Sequence, residues 1–281
     1  MTSSIALMNN PVTSLLPHNY RESDMSTIAK VLTYDQPGDV TLTKEMSPKT
    51  KARLAGALFL VTIVAGIFAQ GYLSDVLLVV PGNAAATAHN IAANQSILRI
   101  AFMILMIEMS CQVGTTAVMY DLLMPVDRSL ARASAAFGYV ASGIKTMSRV
   151  FFYGPLLVLG GSSYLSAFDP KQLDAISYLL IRLNNQGAGI ALIFFGVNTV
   201  LLGLLMIRAT FLPRVLGILS LVAGFGWLTW VYPPLGSKLF TPVALFALIG
   251  CFAQIGWFLI RGVDERKWYE MAAATSSSIW R

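Results

Sequence analysis

Three ionisable side chains, Glu108, Lys145 and Arg149, lie deep inside long apolar runs of the chain. A charge near the centre of a bilayer costs about 2.5–3.5 kcal/mol or more unless it is paired or hydrated, so such residues mark either a structural ion pair or a functional site. Counted at the helical rise, Glu108 falls roughly 17 Å below the outer end of its run, Arg149 roughly 15 Å and Lys145 roughly 21 Å below the outer end of the next. The short connection around Asp127 makes these two runs antiparallel neighbours, which brings the three charges to one depth.

The helical faces agree with the depths. At 100° per residue Glu108, Gln112 and Thr115 share one arc, and Ser134, Gly138, Ser142, Lys145 and Arg149 share another. Asn198 and Gln254, on two later runs, reach similar depths and complete a polar layer drawn from four helices. In one reading the layer is glue that holds helices together, aided by the small-residue row Ser134, Gly138, Ser142. In the other, two cations against one carboxylate leave positive charge to be relieved by an anionic ligand, a neutral lysine or water. Lys145 and Arg149 would then hold the head of an anionic amphiphile, with Glu108 as counter-ion and Gln112, Asn198 and Gln254 completing the site. Glu108 is also the candidate general acid or base of an enzyme acting on a lipid or isoprenoid. A secondary transporter and a structural membrane subunit are further alternatives, although no broken helices or inverted repeat of the transporter kind are visible.

The elements that position these residues follow from hydropathy. Of 281 residues 56% are hydrophobic and 12% charged, about half the charge density of a soluble domain. The expected fold is an all-α polytopic transmembrane bundle of six spans, near 53–74, 96–124, 131–159, 187–208, 213–232 and 241–261. Ten Lys and Arg residues flank the ends on one side (Lys49, Lys51, Arg53, Arg128, Arg132, Arg208, Arg214, Arg261, Arg266 and Lys267) against Lys171, Arg182 and Lys238 on the other. That asymmetry predicts both termini inside. Residues 1–50, polar and interrupted by four prolines, read as a disordered cytoplasmic tail; 51–263 form the membrane domain; 264–281 form a short second tail. Asp169-Pro170 and the spacing of Leu173, Ile176, Leu180 and Leu183 predict a separate helix on the membrane surface near 170–184. Pro81-Gly82-Asn83 predicts a turn into a small-residue helix over 84–93. Trp227, Trp230 and Tyr232 read as interfacial anchors, as does Arg99, while Asp121 and Asp127 read as partners of the basic side.

Other chemistries find no support. The net charge of +6 is spread singly at span ends with no basic stripe, which argues against nucleic acid. Cys111 and Cys251 lie in apolar runs, His18 and His89 are isolated, and no metal-ligand spacing or cofactor motif occurs. Membrane lipids are the expected surroundings, and no oligomeric state follows from the residues.

Five stretches carry a resemblance: ARLAGALFLVTIVAGIFA at 52–69, VPGNAAATAHNI at 80–91, LMPVDRSLA at 123–131, YLSAFDPKQLDA at 164–175 and FFGVNTVLLGLLMIRATFLPRVLGILSLVAGFGWL at 194–228. In these the chain resembles the bacterial six-helix membrane proteins grouped as domain of unknown function 4386. The resemblance implies a six-span bundle in a bacterial cytoplasmic (inner) membrane and no established activity. The chain departs from the family pattern at Gly138, where members often carry arginine, and at Asn198, where they often carry histidine. Lys145 and Arg149 are not features of that pattern.

Overall fold

The structure is a computed structural model that describes residues 46–278, and every extended element among them is helical. Ser47 accepts a hydrogen bond from the Thr50 N–H and Pro48 occupies the first turn, which starts α1 (Pro48–Gly66). After Gly66 the same rod widens into a π-helical segment, Ile67–Val76. A short α2 (Ala84–Ala93), capped by Asn83, precedes α3 (Gln95–Leu123). Asp127 caps α4 (Arg128–Val158), which is followed by α5 (Pro170–Arg208), α6 (Arg214–Leu228), α7 (Pro233–Ile260) and α8 (Glu265–Ser278).

Five of these rods are long and apolar enough to cross a membrane: α1 with its π extension, α3, α5, α6 with its 3-10 end, and α7. At 31 residues α4 is also long enough, but its Lys145, Arg149 and many small polar residues keep it outside that group by composition. Packing nevertheless makes α4 an equal partner. The order α1, α3, α4, α5, α6, α7 forms a ring of neighbours, closed by α7 against α1. One end of the ring carries Lys49, Lys51, Arg128, Arg208, Arg214 and Arg261, and is called here the basic end.

One expectation is corrected. The surface helix predicted near 170–184 is not a separate element but the first part of α5, which runs 39 residues without interruption. The stretch Asn184-Asn185-Gln186-Gly187 reads as a break in sequence, yet it contains no proline. Asn184 points into the bundle, and Gly187 and Gly189 let α5 approach Ser148 and Trp230 so closely that a Cβ would stand 2.6 and 2.4 Å away. The predicted second tail is largely α8, which folds back on the bundle: Trp268 donates to the Leu122 carbonyl at 2.9 Å and Glu265 accepts from the Lys49 N–H at 3.2 Å. The predicted N-terminal tail lies mostly outside the described residues, and 48–50 already belong to α1. The helix over 84–93 is present as predicted, tied to α5 by the Gly82 N–H donating to the Tyr178 hydroxyl at 2.8 Å.

Lipid tails are as apolar as leucine, so burial from water does not drive these helices together; close contact does. The tightest contact joins α5 and α6. A Cβ on Gly217 would stand 2.6 Å from the Gly203 carbonyl oxygen, and one on Gly203 would stand 2.7 Å from that of Gly217. Seven residues along each helix, Gly196 and Gly224 repeat the arrangement. Gly217→Ala should therefore cost about 1–3 kcal/mol, because a backbone carbonyl cannot swing aside. Gly143→Ala on α4, where a Cβ meets nothing within 4 Å, should be neutral or stabilising by up to about 1 kcal/mol. Unfolding of the two variants in one detergent, followed by circular dichroism, separates these outcomes.

Candidate functional site

The charged residues predicted to share a depth do meet. Lys145 donates to Glu108 Oε1 at 2.5 Å, and Arg149 Nη2 lies 3.5 Å from Oε2. The second contact is an ion pair without hydrogen-bond alignment, so Oε2 keeps no hydrogen-bond partner among the described residues. Glu108 lies against α1 at Gly66, where a Cβ would stand 2.9 Å from Oε1 and push the carboxylate aside.

Arg149 is the most tightly held of the three. Its Nη1 donates to Gln70 Oε1 at 2.7 Å and to Asn184 Oδ1 at 3.2 Å, and its guanidinium lies 5.9 Å from the centre of the Phe152 ring. Ser148 donates to the same Asn184 oxygen at 3.5 Å. Gln70 in turn donates to Asp75 Oδ1 at 2.9 Å. A polar chain thus runs Lys145, Glu108, Arg149, Gln70, Asp75, and the fourth charge brings the set of two cations to two carboxylates. The second carboxylate stands at the exposed end of the chain and reaches Arg149 only through Gln70.

Gln70, Asp75, Ser148 and Asn184 were all missed by sequence reasoning. The first two belong to the π-helical segment. In an α-helix residues five apart lie about 140° from each other, whereas a π turn bonds i to i+5 and brings them together. A 3.6-residue period therefore misplaces Gln70 and Asp75. π turns are uncommon and concentrate at functional sites, and this one supplies the partner that fixes Arg149.

At the centre of the ring lies a cavity of about 380 Å³ to which α1 and α3 through α7 all contribute. Its wall is mainly apolar, with Glu108 and Lys145 towards one end and Gln112, Asn198 and Gln254 further along. Arg149 does not line it. Exposure makes the same distinction: the Lys145 side chain is 23% accessible, against 3% for Glu108 and 2% for Arg149. Five of the six predicted ligand residues therefore share one cavity, and the sixth stands behind it.

The amides also do structural work. Asn198 donates to the Ser134 carbonyl at 2.7 Å and to its hydroxyl at 3.0 Å, which clamps α5 to α4. Gln254 donates to the Ser220 hydroxyl at 2.5 Å, which joins α7 to α6. The Thr62, Thr115 and Thr116 hydroxyls bond to carbonyls four residues earlier in their own helices. Of the remaining predicted anchors, Trp230 packs over Gly189 and Gly236, Trp227 lines the cavity, and Tyr232 is exposed. Asp121 and Asp127 pair with Lys51 and Arg208 at 3.7 and 3.6 Å, exposed contacts worth about 0–1 kcal/mol each.

The two cations are not equivalent, and their loss should not be either. Arg149→Met removes the Gln70 oxygen's donor, leaves Asn184 Oδ1 with Ser148 alone and takes a buried charge from beside Glu108, and should cost about 3–5 kcal/mol. Lys145→Met leaves Glu108 beside Arg149 and should cost less than half as much. Denaturant unfolding of both variants in the same detergent reads the difference, and equal losses would remove the distinction.

Neither a curated protein nor a solved structure matches the chain. A family pattern does, over residues 54–262, a stretch that runs from α1 to the turn after α7 and so contains the whole ring and its cavity. The chain is therefore an integral membrane protein that belongs to the family described as a domain of unknown function (DUF4386).

Proposed function

We propose that this protein holds a small amphiphile with an anionic head in the central cavity, with Lys145 as the head-group partner. The supporting architecture is a six-span bundle in a bacterial inner membrane. In it α4 crosses as the sixth helix and the basic end faces the cytoplasm together with both termini. The place of α4 in the closed ring supports its crossing, since a rod packed between α3 and α5 must share their depth.

One observation carries the reading: Glu108 is shared by two cations, of which only Lys145 faces the cavity. When an anionic head reaches Lys145, the ammonium can turn towards it while Glu108 stays beside Arg149. The site can then exchange one counter-ion for another without leaving a bare buried charge, the condition under which a low-dielectric interior tolerates ions. The cavity falls within the roughly 300–1,000 Å³ of small-molecule sites, and its apolar wall with few polar groups matches their usual make-up. Apolar clusters close the bundle on both sides of it: Leu122, Leu205 and Phe258 at the basic end, Leu98, Phe152 and Ile181 at the other. Such a chamber suits an amphiphile held out of water better than an aqueous pore.

Native mass spectrometry of the gently purified protein tests the proposal. The parent should carry a defined anionic amphiphile. Lys145→Met should weaken its retention at least about tenfold, the value of one lost charge-assisted bond. Ala247→Phe, which fills the cavity wall without touching a charge, should also expel it. If parent and folded variants carry the same bulk lipids, the midplane charges are structural and the reading fails.

A further inference from the structure

The apolar clusters at the two ends of the bundle close the central cavity along its axis, so a way in must lie in its side wall. Of the residues that line the cavity Ile67 alone is exposed, at 50%. It stands where α1 passes into its π extension, on a face of the rod that is covered lower down. Gly56 and Ile67 lie about 20° apart around the helix and roughly 16 Å apart along it. At Gly56 α7 presses so close that a Cβ would stand 2.9 Å from Phe258 and 3.2 Å from Leu259. At Ile67 that cover has gone: from here on the rod packs against α3, and α7 is not among its main neighbours.

At this level α7 packs on α6 instead. A Cβ on Gly226 would stand 2.7 Å from Val243, and the Phe240 ring lies 6.1 and 6.3 Å from those of Trp227 and Trp230. Pro242, inside α7 here, removes one N–H from the helix ladder, where a helix bends most easily. The two rods therefore part above Phe258 and leave a slot, with Ile63 and Ile67 on one side and Ala244 and Leu248 on the other. Ile67 stands roughly 21 Å above Arg53 at the basic end, which places the slot in the opposite half of about 30 Å of hydrocarbon. The Glu108–Lys145 pair marks its inner mouth: a Cβ on Gly66, next to Ile67, would stand 2.9 Å from the Glu108 oxygen that Lys145 holds.

We propose that the ligand of the central cavity is a fatty acid from the leaflet opposite the basic end, and that it enters sideways through this slot. This rests on the amphiphile reading of the cavity and adds the class of molecule and its route. The slot is apolar on both sides and faces hydrocarbon, so it admits a molecule already dissolved in the bilayer. Among the described residues that line the cavity only Glu108 and Lys145 are charged, and the Lys145 ammonium at the inner mouth fits an acid head. That head has to pass apolar surroundings. A carboxyl does so as the neutral acid and is favoured as the carboxylate again beside the ammonium, whereas a phosphodiester stays ionised throughout.

The test uses the full-length protein in nanodiscs and palmitate carrying a mid-chain diazirine, with adducts located by peptide mass spectrometry after irradiation. Adducts that excess unlabelled palmitate removes should lie on residues 63–67 and 244–248 and on the cavity wall at Trp227, and Lys145→Met should remove the wall adducts. Ile67→Trp, which narrows the slot, should slow the appearance of wall adducts several-fold, and Ile67→Ala should hasten it. Val150→Trp, on the exposed face of α4, should change nothing. Should Ile67→Trp not fold, Ile67→Ala alone reads the slot. Wall adducts that form at the parental rate in the Ile67 variants would overturn the route and leave the central reading standing. A parent that retains a defined amphiphile in native mass spectrometry but gives no displaceable palmitate adducts would overturn the fatty-acid assignment. Displacement by lysophosphatidylglycerol as readily as by palmitate would overturn the choice of a carboxylic acid.

Discussion

A bilayer interior tolerates a charge only where other charges and dipoles replace water, and the middle of this bundle is arranged around that requirement. Glu108 sits 3% accessible between Lys145 and Arg149, and neither cation could take its place without it. Arg149 is then held by Gln70 and Asn184, Gln70 is placed by the π turn, and Glu108 lies against Gly66. Four helical rods, α1, α3, α4 and α5, are thus committed to one another by a single carboxylate. A buried ion pair of this kind is weak evidence for stability, since a packed apolar core of the same volume is often as stable or more so. Its value lies in geometry, because it fixes which helices meet and at what height.

The rest of the ring is held by different means, and the contrast explains why a cavity exists. Between α5 and α6 the glycine pairs bring backbones into contact, and between α4 and α5 Asn198 and Ser134 form a clamp. By contrast, α7 carries proline at 242 inside the helix and only a few buried positions, among them Gly236, Ala247 and Gly250. Its seat against α1 is Phe258 and Leu259 over Gly56, and against α6 it sets Gly250 beside Leu219. Six rods arranged in a closed ring leave a central space that only large inward side chains could fill, and here alanine, serine and threonine occupy much of the inner wall. The unfilled space is a consequence of a ring built on close approach.

The membrane class, the helix order, and the convergence of Glu108, Lys145 and Arg149 were legible because they depend on hydropathy, loop length and a constant helical rise. Depth is a one-dimensional quantity and survives translation from sequence. Rotation about the axis does not survive as well. Arg149 lies on the same arc as Lys145 and was assigned the same role, yet four residues of helix were enough to turn it from the cavity to a pocket made by Gln70 and Asn184. The surface helix expected near 170–184 proves continuous with the span that follows, because polar residues in a membrane sequence mark either a loop or a buried contact, and only tertiary packing distinguishes them. The π segment was illegible for a simpler reason: nothing in Ile67–Val76 departs from an ordinary apolar helix except where its hydrogen bonds go.

Gly138 and Asn198 meet at one level of the ring. A Cβ on Gly138 would stand 3.1 Å from the Asn198 amide nitrogen and 2.9 Å from Thr116, so α3, α4 and α5 close on one another there. Lys145 lies seven residues further along α4, two turns and roughly 10 Å away on nearly the same face. One level of the wall is therefore closed by the asparagine clamp and the next is held by charge, and a single face of α4 serves both.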